Sequence, residues 1–423
     1  VVLVIFDAAR ADHFGSYGYA RDTTPIADAF AIESMRYETV ISEAPFTFLS
    51  MSSLMTAGSP AVTGLVGRAG AIVPSELELV SETAQAAGFA TLAYSENPFV
   101  TDDFGLAQGF EYFEEVFPVE DYRQQKDLDP TIDSGTRLAA ILEKAAAESE
   151  RPFFLFAHLL RPHNPYAPPA PFAGRFGSVL EDLPKGGTEA LVAMDREGAP
   201  FDASEIEKIT NLYDENLSYA DGLFGGLLAD LEARGLRENS IVILASDHGE
   251  AFGEHGRMLH NSQLYDSMLR VPLMIDVPGE QPGSHSIPIQ LADLGRGLRS
   301  YFQGKAGAAT NLTRLSVGRD LDAPLYSWTN ANGHLVAART ERRKLVVNAL
   351  TLGVVAYHDL IADPGELEPL NLDREGDALL PGLARKIGEW VGIPIELEAT
   401  PEMDPSRRSQ LEALGYLEPA EKD

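Results

Sequence analysis

Residues 241–272 read IVILASDHGEAFGEHGRMLHNSQLYDSMLRVP. The first five, Ile241-Val242-Ile243-Leu244-Ala245, are a continuous apolar run of the kind that forms a strand buried on both faces. The run stops at Ser246-Asp247-His248-Gly249-Glu250, with His255 and His260 soon after. A carboxylate and an imidazole just past the carboxyl end of a buried strand stand where open α/β sheets build their sites. Both are suitable ligands for a divalent cation. A solvated turn would also account for an isolated Asp-His pair, so the reading needs a second feature.

That feature is residues 1–19, VVLVIFDAARADHFGSYGY. Residues 1–6 are another apolar strand, ending at Asp7. If both strands are central and parallel, Asp7 and Asp247-His248 emerge at one sheet edge. Arg10 and Asp12 follow within a helical turn, so Arg10 is expected to point back at the same place. No apolar run here is long enough to span a bilayer. An upstream leader or anchor stays open, and so does localisation, whether periplasmic, extracellular or cytoplasmic.

Strand-like runs recur at 90–94, 152–158 and 271–277, beside 1–6 and 240–245. Helical patterns lie between them at 24–36, 79–87, 133–148 and 204–234. Such alternation predicts a mostly parallel central sheet flanked by helices. Residues 171–203, rich in Gly, Pro and acids, read as a long insertion loop or lid. Short runs at 324–328, 334–340, 344–348 and 354–360 predict an antiparallel sheet. The expected division is a catalytic α/β domain over 1–310 and a small C-terminal α+β subdomain over 311–423.

Lys and Arg number 33 against 64 Asp and Glu, a net charge of −31. That disfavours nucleic acid or an anionic membrane as partner. The acids are spread along the chain rather than blocked, which fits a general acidic surface. A site for an anionic substrate must then be locally positive, through metal, Arg and His. The absence of Cys excludes disulfides, thiolate metal sites and a Cys nucleophile.

Residues 44–58 read APFTFLSMSSLMTAG. Thr47 precedes a run that predicts a short helix over 50–56. A hydroxyl at a helix N-terminus lies beside backbone N–H groups that favour an anion or a developing alkoxide. A metal held by Asp7, Asp247 and His248 would also lower its pKa, making Thr47 both ligand and nucleophile. The ordinary use of such a residue is as an N-cap, and Ser50, Ser52 and Ser53 are rival hydroxyls.

Taken together, these segments resemble the sulfatase branch of the alkaline phosphatase superfamily over nearly the whole chain. The opening Asp-x-x-Arg-Ala-Asp-His, RDTTP at 21–25, and RPFFLFAHLLRPHNPYAPP at 151–169 are similar to family segments. So are SDHGEAFGEHG at 246–256, LYDSMLRVPL at 264–273, RKLVVNA at 343–349, AYHDLIADPGELEPLNL at 356–372 and LEALGYL at 411–417. The resemblance implies an alkaline phosphatase-like fold, with Asp7, Asp247 and His248 as metal ligands. It places Thr47 where sulfatases carry the Cys or Ser that becomes formylglycine. It implies that His163 and His260 contact the oxyanion or protonate the leaving oxygen, His260 standing near a position usually held by Lys. Asn97 would touch a non-bridging oxygen. His158 is read as a core hydrogen-bonding residue and His255 as orienting a ligand. Tyr166, Tyr265 and Arg270 are read as packing residues.

Three departures shape the chemistry. Ala8 stands where many sulfatases have a second Asp. Leu49 and Met51 replace the Pro-x-Arg that follows the oxidisable residue, and Thr47 cannot become formylglycine. The cofactor expected is one divalent cation, Ca, Mn or Zn, without formylglycine. The reading is a hydrolase of phosphate or sulfate esters acting through Thr47, with phosphoesters favoured chemically. The ester would be a small molecule or linked to a glycan or lipid. Two alternatives are a phospho-group transferase to a glycan or lipid, and a catalytically silent protein that binds metal or sulfated glycan.

Overall fold

The computed structural model describes residues 1–65, 72–116, 133–147, 151–179, 182–184, 187–197, 202–260, 262–305, 307–317, 319, 323–329, 334–349 and 353–370. Among these residues the main sheet has eight strands. Their spatial order is Gly283–His285, Met35–Tyr37, Leu273–Asp276, Val242–Ser246, Val2–Asp7, Phe153–Pro162, Ala90–Ser95 and Tyr112–Glu115. The five strands from Val242–Ser246 to Tyr112–Glu115 run parallel. Leu273–Asp276 lies antiparallel to Val242–Ser246 and to Met35–Tyr37.

Alternate residues of a strand face opposite sides of its sheet. On one side Leu3, Ile5, Phe154, Phe156, Ile243 and Ala245 join a core with Leu49, Met51 and Leu54 of the helix Thr47–Thr56. Leu294 and Leu298 of the helix Leu291–Phe302 belong to it too. On the other side Val2, Val4, Phe6, Leu155, Ala157 and Leu244 share a core with Ile141 of Ser134–Ala147 and Leu217 and Phe224 of Ala203–Ala233. Covering both faces is why these strands read as unbroken apolar runs. Each buried Leu, Ile or Phe contributes roughly 1.5–3 kcal/mol. Asp7, His158 and Asp247 fall in phase with the first set, so they extend the face that the helix Thr47–Thr56 covers.

Several predicted elements have different limits. The run at 271–277 splits at Pro272, which cannot donate to a ladder. Arg270–Val271 joins a small sheet with Val40–Ile41 and Ile289–Gln290, and only Leu273–Asp276 reaches the main sheet. The helix predicted over 24–36 stops at Glu33, because Met35–Tyr37 is a strand. The strand predicted over 152–158 continues to Pro162. The helix predicted over 50–56 starts at Thr47. Residues 171–203, read as a loop, contain the helix Gly187–Glu197, whose Leu191 is buried; Gly and acidic residues masked its apolar spacing. The four predicted C-terminal runs form an antiparallel meander of Leu325–Thr329, Leu335–Arg339, Arg343–Asn348 and Val354–Asp359. The tail motif at 411–417 lies outside the described residues.

The helix Pro25–Glu33 is capped from a distance. Its own N-cap, Thr24, makes no side-chain cap. Instead Asp221, on the long helix Ala203–Ala233, accepts from the Ile26 and Ala27 N–H groups at 2.9 and 2.7 Å. Burial pushes the Asp221 carboxyl up to about 7. A carboxyl with a raised native pKa holds its proton longer in the folded state, so its contribution is largest below the usual carboxylate range and declines as pH rises to about 7. Asp221→Ala is expected to lower stability by about 1.5–3 kcal/mol, read by thermal melting. The margin of Asp221→Asn relative to the wild type should improve between about pH 5 and pH 8.

Candidate active site

Asp7 ends the opening strand, and the chain turns sharply at Ala8, whose φ of 60° lies in the left-handed region. That conformation costs a non-glycine residue about 1–3 kcal/mol. Three hydrogen bonds hold it. The Ala8 N–H donates to Asp247 Oδ1 at 3.0 Å, and the Tyr213 hydroxyl donates to the Ala8 carbonyl at 2.9 Å. The Arg10 N–H donates to the same hydroxyl at 2.9 Å. Asp247 Oδ1 also accepts the His248 N–H at 2.8 Å, and Ser50 donates to the Asp247 carbonyl at 2.6 Å. Asp247 is thus fixed on one side.

The other side of Asp247 faces a charged gap. Oδ2 of Asp247 and Oδ1 of Asp7 are buried without a hydrogen-bond partner. His248 Nδ1 lies 2.9 Å from the Gly249 carbonyl, which places the proton there and turns Nε2 to both carboxylates, 3.6 Å from each. One ligand atom from each of Asp7, Asp247 and His248 lies within 4.8 Å of the others. Burial, then the nearby Asp247, raises the Asp7 carboxyl well above its usual range, against a 2.5 Å hydrogen bond from Asn97. Burial opposes the charge on Asp247 too, but His248 and His158 hold its carboxyl down. Burial pulls His248 down to about 4. Two carboxylate oxygens lacking donors beside the lone pair of a neutral imidazole fit a divalent cation.

Thr47 is the first residue of its helix. Phe46 is the N-cap. Thr47 Oγ1 lies 3.3 Å from His248 Nε2 and accepts from Asn97 Nδ2 at 3.2 Å. Asn97 therefore bridges Asp7 and Thr47. Among the rival hydroxyls, Ser50 and Ser53 donate to the Asp247 and Leu49 carbonyls.

His163 and His260 stand beside this group. The ring centroids of His248 and His260 are 4.5 Å apart, and those of His163 and His260 are 4.8 Å apart. His260 Nδ1 lies 2.8 Å from Glu250 Oε1, and the Tyr166 hydroxyl donates to Glu250 Oε2 at 3.0 Å. Burial lowers His260 to about 4 and His163 to about 3, and raises Glu250 to about 7 against the pull of His163 and His248. Sequence reasoning left Glu250 without a role, although it follows His248 by two residues in the decisive stretch.

Arg10 is placed differently from its expected position. Its guanidinium donates to Asp12 at 2.9 and 2.8 Å, to Glu254 at 2.6 Å and to the Glu250 carbonyl at 3.0 Å. None of these bonds reaches Thr47 or the Asp7–Asp247–His248 group. Asp12 and Glu254 satisfy the cation with charge-assisted bonds that an outer position provides. His255, expected to orient a ligand, stacks instead on Tyr265 with centroids 3.4 Å apart. Arg270 donates to the Glu38 carbonyl at 2.8 Å. His158, read as a core residue, lies with Nε2 at 3.4 Å from Asp247 Oδ2. Its place was legible from Phe154-x-Phe156-x-His158, which runs in phase with the strand ending at Asp7.

The C-terminal sheet braces this site from behind. Lys344, buried, bonds Asp266 at 2.5 Å and Glu366 at 2.7 Å, and Arg339 bonds Asp266 at 3.0 Å. Burial opposes the Asp266 charge, yet Arg339 and Lys344 hold its carboxyl below the usual range. Asp266 heads the turn Asp266–Leu269. The Met268 and Ser267 carbonyls there accept the Gly249 and Glu250 N–H groups at 2.8 and 3.1 Å.

A parallel α/β sheet carrying two carboxylates, an imidazole and a helix-terminal hydroxyl at its carboxyl edge defines an alkaline phosphatase-like protein. The sulfatase family model matches residues 1–302, and the chain belongs to that family. It is 26% identical over 317 residues to an ulvan-active sulfatase of Formosa agariphila, covering 70% of this chain and 60% of that protein. A choline-sulfatase of Rhizobium meliloti is 29% identical over 245 residues, with coverage of 53% and 47%. The chain thus spans less than two thirds of the length of these curated relatives. Among solved structures, the phosphonate monoester hydrolase of Agrobacterium radiobacter superposes with a TM-score of 0.73 at 18% identity, covering 92% of this chain and 94% of that one. A structure in complex with D-glucosamine-2-N,6-O-disulfate gives 0.70 at 14% identity, covering 92% and 96%. At these identities the structures speak to the fold. No helix among the described residues is long and apolar enough to cross a membrane.

The approach of Gly249 to its brace is testable. A Cβ at Gly249 would collide with the Ser267 carbonyl oxygen, so Gly249→Ala must displace the turn carrying His248 and Glu250. Calorimetric titration with Mn²⁺ is expected to show affinity about 10–100-fold weaker, with the far-UV spectrum unchanged. Wild-type affinity would mean that the turn does not hold the ligands.

Proposed function

We propose that the protein is a metal-dependent hydrolase of phosphate or sulfate esters with Thr47 as its nucleophile, and that phosphoesters are its better substrates. The observation that carries this reading is the position of Thr47. Its hydroxyl heads a buried helix, within 3.3 Å of His248 Nε2 and 3.2 Å of Asn97 Nδ2, and its side chain is one that cannot be converted to formylglycine. Asp7, Asp247, His248 and Thr47 would hold the cation. The chemistry such a cation supplies is Lewis-acidic, a lowered hydroxyl pKa and compensation of developing negative charge.

The chain's own groups do the rest. Thr47 Oγ1 gives up its proton to solvent and forms a bond to phosphorus or sulfur. The bond to the ester oxygen on the far side breaks, and that oxygen takes a proton from His260 Nε2, which the attacking water later returns. The N-terminal amides of the helix Thr47–Thr56 lie beside the oxygens that gain charge. Asn97 donates to Thr47 and Asp7, fixing the direction of attack. Glu250 holds the Nδ1 side of His260, so the ring presents Nε2 to the leaving oxygen, as a carboxylate orients imidazole in other nucleophilic sites. An anionic ester beside His163 and His260 favours their protonated forms and opposes the effect of burial. Water then attacks the same phosphorus or sulfur and releases Thr47. Attack at that centre is easier in a phosphate ester than in a sulfate ester lacking the formylglycine escape by C–O cleavage, which favours phosphoesters. Arg10 takes no part in this scheme, because its guanidinium is committed to Asp12 and Glu254.

Aryl sulfate, aryl phosphate, aryl phosphodiester and aryl phosphonate esters, assayed with and without chelator, test the reading. Turnover should be fastest on a phosphorus ester and abolished by chelator, and Thr47→Ala should reduce it at least about a thousand-fold. His260→Gln should cost about 10²–10⁴-fold with a poor leaving group and much less with nitrophenolate. Undiminished turnover in Thr47→Ala would remove the nucleophile assignment. Transfer to an added alcohol in place of hydrolysis would make the protein a transferase.

A further inference from the structure

We propose that His158 is a positioning residue of the metal site, its Nε2 placed beside Asp247 Oδ2 to donate to that oxygen and set its direction once a cation binds; this rests on the metal-site reading above. His158 is fully buried on a central strand, the face of which is otherwise apolar up to that point, with Phe154 and Phe156 before it. Both ring nitrogens lack a hydrogen-bond partner, as does Asp247 Oδ2. The two groups face each other, with Nε2 at 3.4 Å from Oδ2.

A core histidine kept for packing has no reason to carry two unsatisfied polar atoms. Each carries an uncompensated desolvation cost, and an apolar side chain of similar size would avoid it. The group beside it suggests why the imidazole is kept. Asp247 Oδ1 is fully occupied by the Ala8 and His248 N–H groups. Oδ2 is the atom left for a cation, and no backbone donor sets its direction. His158 approaches Oδ2 from the strand Phe153–Pro162, across the opening strand from Asp247. It is not part of the three-residue group whose ligand atoms converge within 4.8 Å. Its place is therefore behind the carboxylate rather than on the ion. Partners of this kind fix the geometry of a ligand, and their loss typically costs 10–100-fold in metal affinity.

The role makes two measurements move in opposite directions. Metal-free His158→Leu should melt at or above the wild-type temperature, because an unsatisfied polar ring is replaced by an apolar side chain. The same variant should bind Mn²⁺ about 10–100-fold more weakly by calorimetry. His158→Gln, which keeps a side-chain N–H donor, should recover most of the affinity. Asp7→Asn is the control for the site itself. If wild type binds Mn²⁺ and Asp7→Asn does not, while His158→Leu binds like wild type, the positioning role is overturned and the metal site stands. If wild type binds no Mn²⁺, or binds it unchanged in Asp7→Asn, the site assignment fails and the role of His158 falls with it. A His158→Leu variant that loses both stability and affinity, with His158→Gln no better, would show a packing residue and overturn the proposal.

Discussion

Two carboxylates buried side by side are the constraint around which the rest of the site is arranged. Asp7 and Asp247 end adjacent parallel strands on the same sheet face, and both are shut off from solvent. Neither charge is sustainable alone in such a place. The protein answers partly with donors: two backbone N–H groups on Asp247 and one side-chain amide on Asp7. One oxygen on each still lacks a donor, and His248 Nε2 faces both. The remaining imbalance is negative charge, which a divalent cation beside Asp7, Asp247 and His248 would offset. Thr47 borders that place because the helix covering this sheet face begins there.

The site is also tied to parts of the chain far from it. A left-handed Ala8 stands next to Asp7, held by Asp247 and by Tyr213 from the long helix Ala203–Ala233. The turn after His248 is held by carbonyls of the segment that follows Asp266, and Asp266 is held by Lys344 and Arg339 from the C-terminal sheet. Replacing such a buried ion network with apolar residues is often neutral, whereas breaking one partner away is costly. In this protein the network joins the C-terminal meander to the turn after His248, so that meander is part of that turn's support.

Much of this was legible in the sequence because its signal is periodic. The central strands read as apolar runs, since both faces are covered, and their polar ends mark one sheet edge. The meander read clearly from short runs between turn residues. What escaped depended on competition between partners. Arg10 has the right spacing to reach the site, but Asp12 and Glu254 take its guanidinium. His158 looks like a strand-end core residue until its phase with Asp7 and Asp247 is compared. Glu250 became meaningful only when His260, ten positions on, folded back onto it. Pro272 divided a strand whose hydrophobicity was continuous, and the helix at Gly187–Glu197 was hidden by the composition around it.

Membership of the sulfatase family fixes the holder, while the proposed role of Thr47 would set the chemistry that the holder performs. The most direct measurement is of the covalent intermediate. The protein is mixed with its best phosphorus ester, quenched in acid during steady turnover, digested and analysed by tandem mass spectrometry. A phosphoryl-type adduct on Thr47, absent when the ester is omitted, is the predicted result. An adduct on a different side chain, or steady turnover with Thr47 unmodified at every quench time, would contradict the account.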